Sequence, residues 1–219
     1  MKIQRTEAQV WWIAIADELR PVRGIDSQLV IGGLQGLFGF PGPPARLENG
    51  GIEFADGRMS EGADQILITK IAAFEDGINI QVPTDSEDAE KVLQRTLAFF
   101  FSIGVRQPTT PPVHFYQSIV VADFEGSLEK FFPSLLLKKI SKALPVGLAT
   151  SALSFSFNTD PLQIADARWR GINPSMFKIE RRASIPYATN RYFCLANMST
   201  ADHIELLTEF ERVAVKVGT

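Results

Sequence analysis

The stretch from Gln65 to Phe101, QILITKIAAFEDGINIQVPTDSEDAEKVLQRTLAFFF, carries the pattern that decides the fold class. Gln65–Ala72 and Gly77–Val82 are rich in isoleucine and read as strands. Glu75–Asp76–Gly77 supplies turn chemistry between them, so the two runs are expected to pair. The apolar period then changes from two to 3.6 residues. Ser86 is expected to cap a helix, with Glu87, Asp88 and Glu90 in the first turn, where negative charge meets the positive end of the helix dipole. Ala89, Val92, Leu93, Thr96, Leu97 and Phe100 recur on one face, and the helix should end near Gly104.

The same order returns near the end of the chain. Met176–Arg182 and Arg191–Asn197 read as strands joined by a wide turn containing Pro186. A helix over Thr200–Val213 follows, with His203, Leu207, Phe210 and Val213 or Ala214 on one face. A further strand precedes each unit: VWWIAIA at Val10–Ala16, apolar enough for burial on both faces, and HFYQSIVVADF at His114–Phe124. QPTTPPV at Gln107–Val113 is an extended connector, because its prolines oppose both helix and ladder. These signals predict an α+β fold, a largely antiparallel sheet with about three main helices packed on it. It divides into an N-terminal half, residues 1–106, and a C-terminal half, residues 113–219, sharing one core or a close interface. The echo between the halves is consistent with internal duplication, although common helix-start chemistry produces a similar echo.

Other segments are less regular. Glu18–Asp26 reads as a turn, and Gln28–Leu34 as a short strand ending at Gly32–Gly33. The glycines and prolines of Gly32–Gly51 oppose a long helix, so this region reads as an ordered loop packed onto the body. Its apolar residues Leu34, Leu37, Phe38 and Phe40 make it a candidate interface loop. Ser127–Leu144 has helical spacing, interrupted or started by Pro133. Ala152–Asn158 alternates like a half-buried strand.

Composition excludes several function classes. A net charge of −3 does not suit a general nucleic-acid coat. No apolar run reaches membrane-spanning length, and MKIQRTEAQ is not followed by a signal-peptide core. The single cysteine, Cys194, excludes an intrachain disulfide and a cysteine-based zinc cluster, so a reducing, cytoplasmic setting is expected. His114 and His203 are the only histidines, and neither has a partner at ligand spacing; neither metal nor cofactor is expected. The glycines near residue 32 match neither GxxxxGK[ST] nor GxGxxG, and no GxSxG elbow occurs. Cys194, between Phe193 and Leu195, reads as a buried structural thiol. Asp123 and Glu125 stand at i and i+2, the spacing of a carboxylate pair on one strand face.

One polar cluster stands out in the C-terminal half. Arg168, Trp169, Arg170, Arg181, Arg182 and Arg191 are candidate contacts for an anion or an acidic partner, since guanidinium groups grip carboxylate and phosphate in a bidentate way. Asp160, Asp166 and Glu180 are the accompanying polar or acid/base candidates. Arg181 and Arg182 should point to opposite strand faces. The sequence therefore suggests a non-catalytic interaction or assembly protein that binds a protein partner or itself. The alternative is an enzyme or sensor that holds a small anionic ligand through this arginine cluster.

Overall fold

Alternate residues of the first strand, Lys2–Ile13 (β1), divide sharply: Ala8, Val10 and Trp12 are buried, while Glu7, Gln9 and Trp11 are only half-covered. A computed structural model of the chain describes residues 1–20, 26–48, 50–62, 64–131, 154–158, 176–182 and 185–217. Within these, β1 is followed by a short helix, Ala16–Leu19 (α1), and a longer one, Ser27–Phe38 (α2). The strands Ala45–Arg46 (β2), Ile52–Glu61 (β3), Asp64–Ala73 (β4) and Gly77–Val82 (β5) come next, then the helix Ser86–Ser102 (α3). Val113–Asp123 (β6), Ser154–Phe157 (β7), Phe177–Arg181 (β8) and Arg191–Ala196 (β9) precede the last helix, Thr200–Val217 (α4).

All nine strands lie in one antiparallel sheet of order β2-β3-β4-β5-β1-β6-β9-β8-β7. This is the α+β architecture that the sequence pattern predicts. Reading outward from the β1–β6 seam, one side runs β1, β5, β4, β3 and the other β6, β9, β8, β7, so strand order is the same on both sides. The seam is long and antiparallel, from Lys2 opposite Asp123 to Ile13 opposite Val113, with one bulge between Ile3 and Arg5. Two apolar cores flank it. One joins Val10, Ile80 and Phe54 to α2 and α3; the other joins Val120, Tyr192 and Ile179 to α4.

The region Ser27–Phe38 is helical, which corrects the expectation of a strand and loop there. Val30, Leu34 and Phe38 recur every four residues and are buried. The Asp26 carboxylate accepts the Gln28 N–H at 2.8 Å, and Gly39, with φ of 59°, ends the helix by donating its N–H to the Gln35 carbonyl. A helical glycine costs about 1 kcal/mol, but burying a leucine or phenylalanine returns roughly 1.5–3 kcal/mol. Gly33 also has a use: a Cβ there would stand 2.1 Å from the ring of Phe99 on α3, so its absence lets the two helices approach. β3 has no counterpart among the strands expected from the sequence; it pairs with β4 along its length.

The helices α3 and α4 meet at their N-termini. The cap of α3 is Asp85, not Ser86: its carboxylate accepts the N–H groups of Glu87 and Asp88. Ser86 caps the other helix. Its hydroxyl accepts the Thr200 N–H at 2.9 Å, and the Thr200 hydroxyl accepts the Ser86 N–H at 3.0 Å. Each residue is the first of its helix, and both are buried. The clasp therefore satisfies two N–H groups that water does not reach.

Ser86→Ala and Thr200→Val should each lower stability by about 1–2 kcal/mol in urea titrations. The double variant should lose clearly less than the sum, because each bond holds the geometry of the other. Strictly additive losses would show two independent caps rather than a clasp.

Candidate functional site

The arginines singled out in the sequence do not converge within the described residues. Arg168, Trp169, Arg170, Asp160 and Asp166 lie outside those residues. Arg181 and Arg182 do point to opposite faces, as strand geometry requires. Arg181 is buried on the helix side, where it donates to Ser127 Oγ, Asn190 Oδ1 and the Tyr192 hydroxyl at 3.0–3.1 Å and lies over the Tyr192 ring. Arg182 is exposed. Arg191 holds Asp123 in a two-pronged ion pair at 2.5 and 2.9 Å. That guanidinium keeps the Asp123 carboxyl below the usual carboxylate range. Asp123 is thus engaged, while Glu125 is largely exposed, so the two form no shared acid/base pair. Glu180 pairs with Lys178 at 2.5 Å.

The candidate interface loop is also reassigned. Leu34 and Phe38 are fully buried on α2, and Phe40 stacks on Phe54 with ring centroids 4.9 Å apart. Leu37 packs at the margin of the same core. These side chains hold the helix layer to the sheet.

What the chain does present is a sheet face opposite its helices. Residues facing the helix layer are Ala8, Val10 and Trp12 on β1, with Ser118, Val120 and Ala122 on β6 and Tyr192, Cys194 and Ala196 on β9. The intervening residues point the other way. Cross-strand register arranges them in rows. Ala72, Asn79, Trp11 and Phe115 form one row; Lys70, Gln81, Gln9 and Gln117 form the next. Then come Glu7, Ile119, Leu195 and Lys178, followed by Arg5, Val121, Phe193 and Glu180. Asp123 and Arg191 close the series.

The upper rows are amide-rich and aromatic. Trp11 stacks on Phe115 with ring planes within 5°, and Gln117 donates to Asn197 Oδ1 at 3.1 Å. Here Gln9, Trp11, Lys70, Phe74, Asn79 and the Leu47–Glu48 turn surround a trough of about 470 Å³. The lower rows hold four half-buried apolar side chains, Ile119, Val121, Phe193 and Leu195, with a charged residue at each corner. An apolar centre with a polar rim is the anatomy of a protein interface.

Two other features deserve comparison with this face. An apolar pocket of about 100 Å³ lies under the end of α3, lined by Trp12, Leu19, Phe74, Leu97, Phe100 and Phe101. Its one charged lining residue, Glu75, is bound by Arg20 at 3.2 Å, so little remains to orient a ligand. The second feature is a carboxylate on α3. Glu90 accepts from Gln94 at 2.6 Å and from the Tyr116 hydroxyl at 3.1 Å, and its other contact is His114 Nε2 at 3.0 Å. Burial, then the Glu90 charge, pushes the Tyr116 phenol up to about 12, so it keeps its proton. This cluster ties α3 to β6 across the seam. No spacing rule could have found it, because Glu90 and His114 lie on different elements.

Cys194 is buried in the C-terminal core, and burial pushes its thiol up to about 12, which makes it a poor nucleophile. His203 is fully buried beside the Phe177 ring, 6.0 Å between centroids. Burial lowers its pKa to about 4; the nearby Ser118 backbone opposes this, though neither ring nitrogen reaches hydrogen-bond geometry with a described residue. Among the described residues no group of three or more His, Cys, Asp or Glu side chains is placed to hold a metal, and no helix is long and apolar enough to cross a membrane. No protein-family model matches the sequence, and no curated protein matches it significantly.

The histidine yields a pH dependence. Its folded-state pKa of about 4 lies below the ordinary 6.5, so the native fold holds it neutral. Its contribution is complete above pH 6.5 and is lost as pH falls through 4, by up to about 3 kcal/mol. Urea titrations at several pH values should show a shallower decline for His203→Leu than for the parent protein. Identical declines would remove His203 from the account.

Proposed function

We propose that the protein acts by binding another protein surface through the face of its sheet that no described helix covers, as an interaction or assembly component rather than a catalyst. The observation that carries this reading is the apolar block of Ile119, Val121, Phe193 and Leu195, drawn from two strands and framed by Arg5, Glu7, Lys178 and Glu180. Every described helix packs on the opposite face. Covering the block removes apolar area from water at about 25 cal/mol per Å². Arg5, Lys178 and Glu180 keep part of their hydration and supply orientation more than affinity. The trough beside Trp11 and Phe74 adds a recess that takes a partner's side chain, and Lys70 at its margin is already paired with Glu53 at 3.3 Å. The groups with most chemical potential support a structural reading: Cys194 is held as the thiol, Tyr116 as the phenol, and Asp123 in an ion pair.

A photo-reactive phenylalanine analogue placed at Leu195 and activated in the producing cell should give discrete protein adducts. The same analogue at Leu29, exposed on α2 and turned away from the sheet, should give few. Equal adduct formation at both positions, or none at Leu195, would overturn the assignment.

A further inference from the structure

The corners of the apolar block alternate in sign. Glu7 and Lys178 end one row, with Ile119 and Leu195 between them; Arg5 and Glu180 end the next, around Val121 and Phe193. Read around the block, the charges run minus, plus, minus, plus. Within the chain they are joined down the strands: Arg5 to Glu7 at 2.8 Å, and Lys178 to Glu180 at 2.5 Å. Arg5 stays largely exposed, Lys178 and Glu180 are partly exposed, and Glu7 is mostly covered.

This alternation has a geometric consequence. Two identical faces pack together around a twofold axis that lies in the interface. If the axis runs along the strands, Glu7 of one copy meets Lys178 of the other, and Arg5 meets Glu180. If it runs across the strands, Glu7 meets Arg5 and Lys178 meets Glu180. Unlike charges oppose each other in both cases, and apolar residues meet apolar residues at the centre. A face carrying one sign at all four corners would repel itself under either axis.

Resting on the interaction reading above, we propose that the occupant of this face is a second copy of the chain. The two sheets pack face to face in a sandwich, with their helices outward. Four strand spacings of ~4.8 Å and two two-residue steps of ~6.8 Å make the block itself roughly 260 Å² before side-chain relief, so the neighbouring rows supply the rest of the ~800 Å² per partner of a standard interface. Sheets packed this way keep their strands within about 30° of one another, which leaves the corner pairs within reach. Four strands continue on one side of the block and one on the other, so the aromatic trough lies at its margin.

The test is sedimentation velocity over a concentration series, with circular dichroism to verify folding. The parent protein should sediment at twice its 24.2 kDa chain mass. Ile119→Lys with Leu195→Lys should give a folded monomer. Lys178→Glu alone sets like charges together under either axis and should weaken association about tenfold. One exchange should then restore it: Glu7→Lys with Lys178→Glu if the axis runs along the strands, or Glu180→Lys with Lys178→Glu if it runs across them. Restoration by neither exchange, or association unmoved by Lys178→Glu, overturns the twofold packing. A monomeric parent protein that still gives adducts from Leu195 overturns the second copy while leaving the interaction reading standing; a monomer without adducts removes both.

Discussion

The antiparallel ladder between β1 and β6 sets where everything else lies. It joins the two halves of the chain into one sheet and fixes their register, with Ala8 opposite Ser118. Each of these strands then accepts a partner on its free edge, β5 on one side and β9 on the other, and the sheet grows outward in the same order both ways. The helices that leave β5 and β9 consequently begin near each other. That is why Ser86 and Thr200, distant in sequence, meet and complete each other's first turn. Two positive helix ends brought together repel; the acidic first turns, with Glu87 and Asp88 on one helix and Asp202 on the other, offset that repulsion.

The same arrangement commits the described helices α2, α3 and α4 to one side. A sheet of this width has two faces to cover, and α2, α3 and α4 cover one. On the other face the chain uses two solutions. Near Trp11 it places amides that bond the backbone or a carboxylate: Asn79 donates to the Val10 carbonyl at 3.3 Å, and Gln81 donates to Glu7. Near Ile119 it leaves side chains that water solvates poorly. Those two solutions distinguish a face tolerant of water from one suited to contact, and the boundary between them falls within β1, between Gln9 and Glu7.

The sequence made some of this legible. The run from Gln65 to Ser102 could be read because turn chemistry, strand composition and helical period agree there. The same is true of β8, β9 and α4. Ser27–Phe38 was misread because glycine weighs against a helix locally, while the compensation, Gly33 against Phe99 and Phe38 in the core, comes from residues remote in sequence. Val10–Ala16 reads as buried on both faces, because Trp11 is as apolar as Trp12; only the sheet shows that Trp12 meets the helices while Trp11 lies on Phe115. The candidate site was less legible still. Its rows take single residues from β1, β6, β9 and β8, and no local pattern states which strands are neighbours.

The two sides of the seam also differ in a way that bears on how the molecule holds together. Ala8 and Ser118 occupy matching places, each directly across from the last residue of its outer partner, Val82 and Ala196. Ala89 and His203 stand three residues beyond Ser86 and Thr200. In the first half both places hold alanine. In the second they hold a buried hydroxyl and a buried imidazole, neither with a hydrogen-bond partner among the described residues. Such groups cost roughly 1–3 kcal/mol each where nothing bonds them, a cost that the two alanines do not carry. The second half is also the one whose strands β9 and β8 supply Phe193, Leu195, Lys178 and Glu180 to the open face.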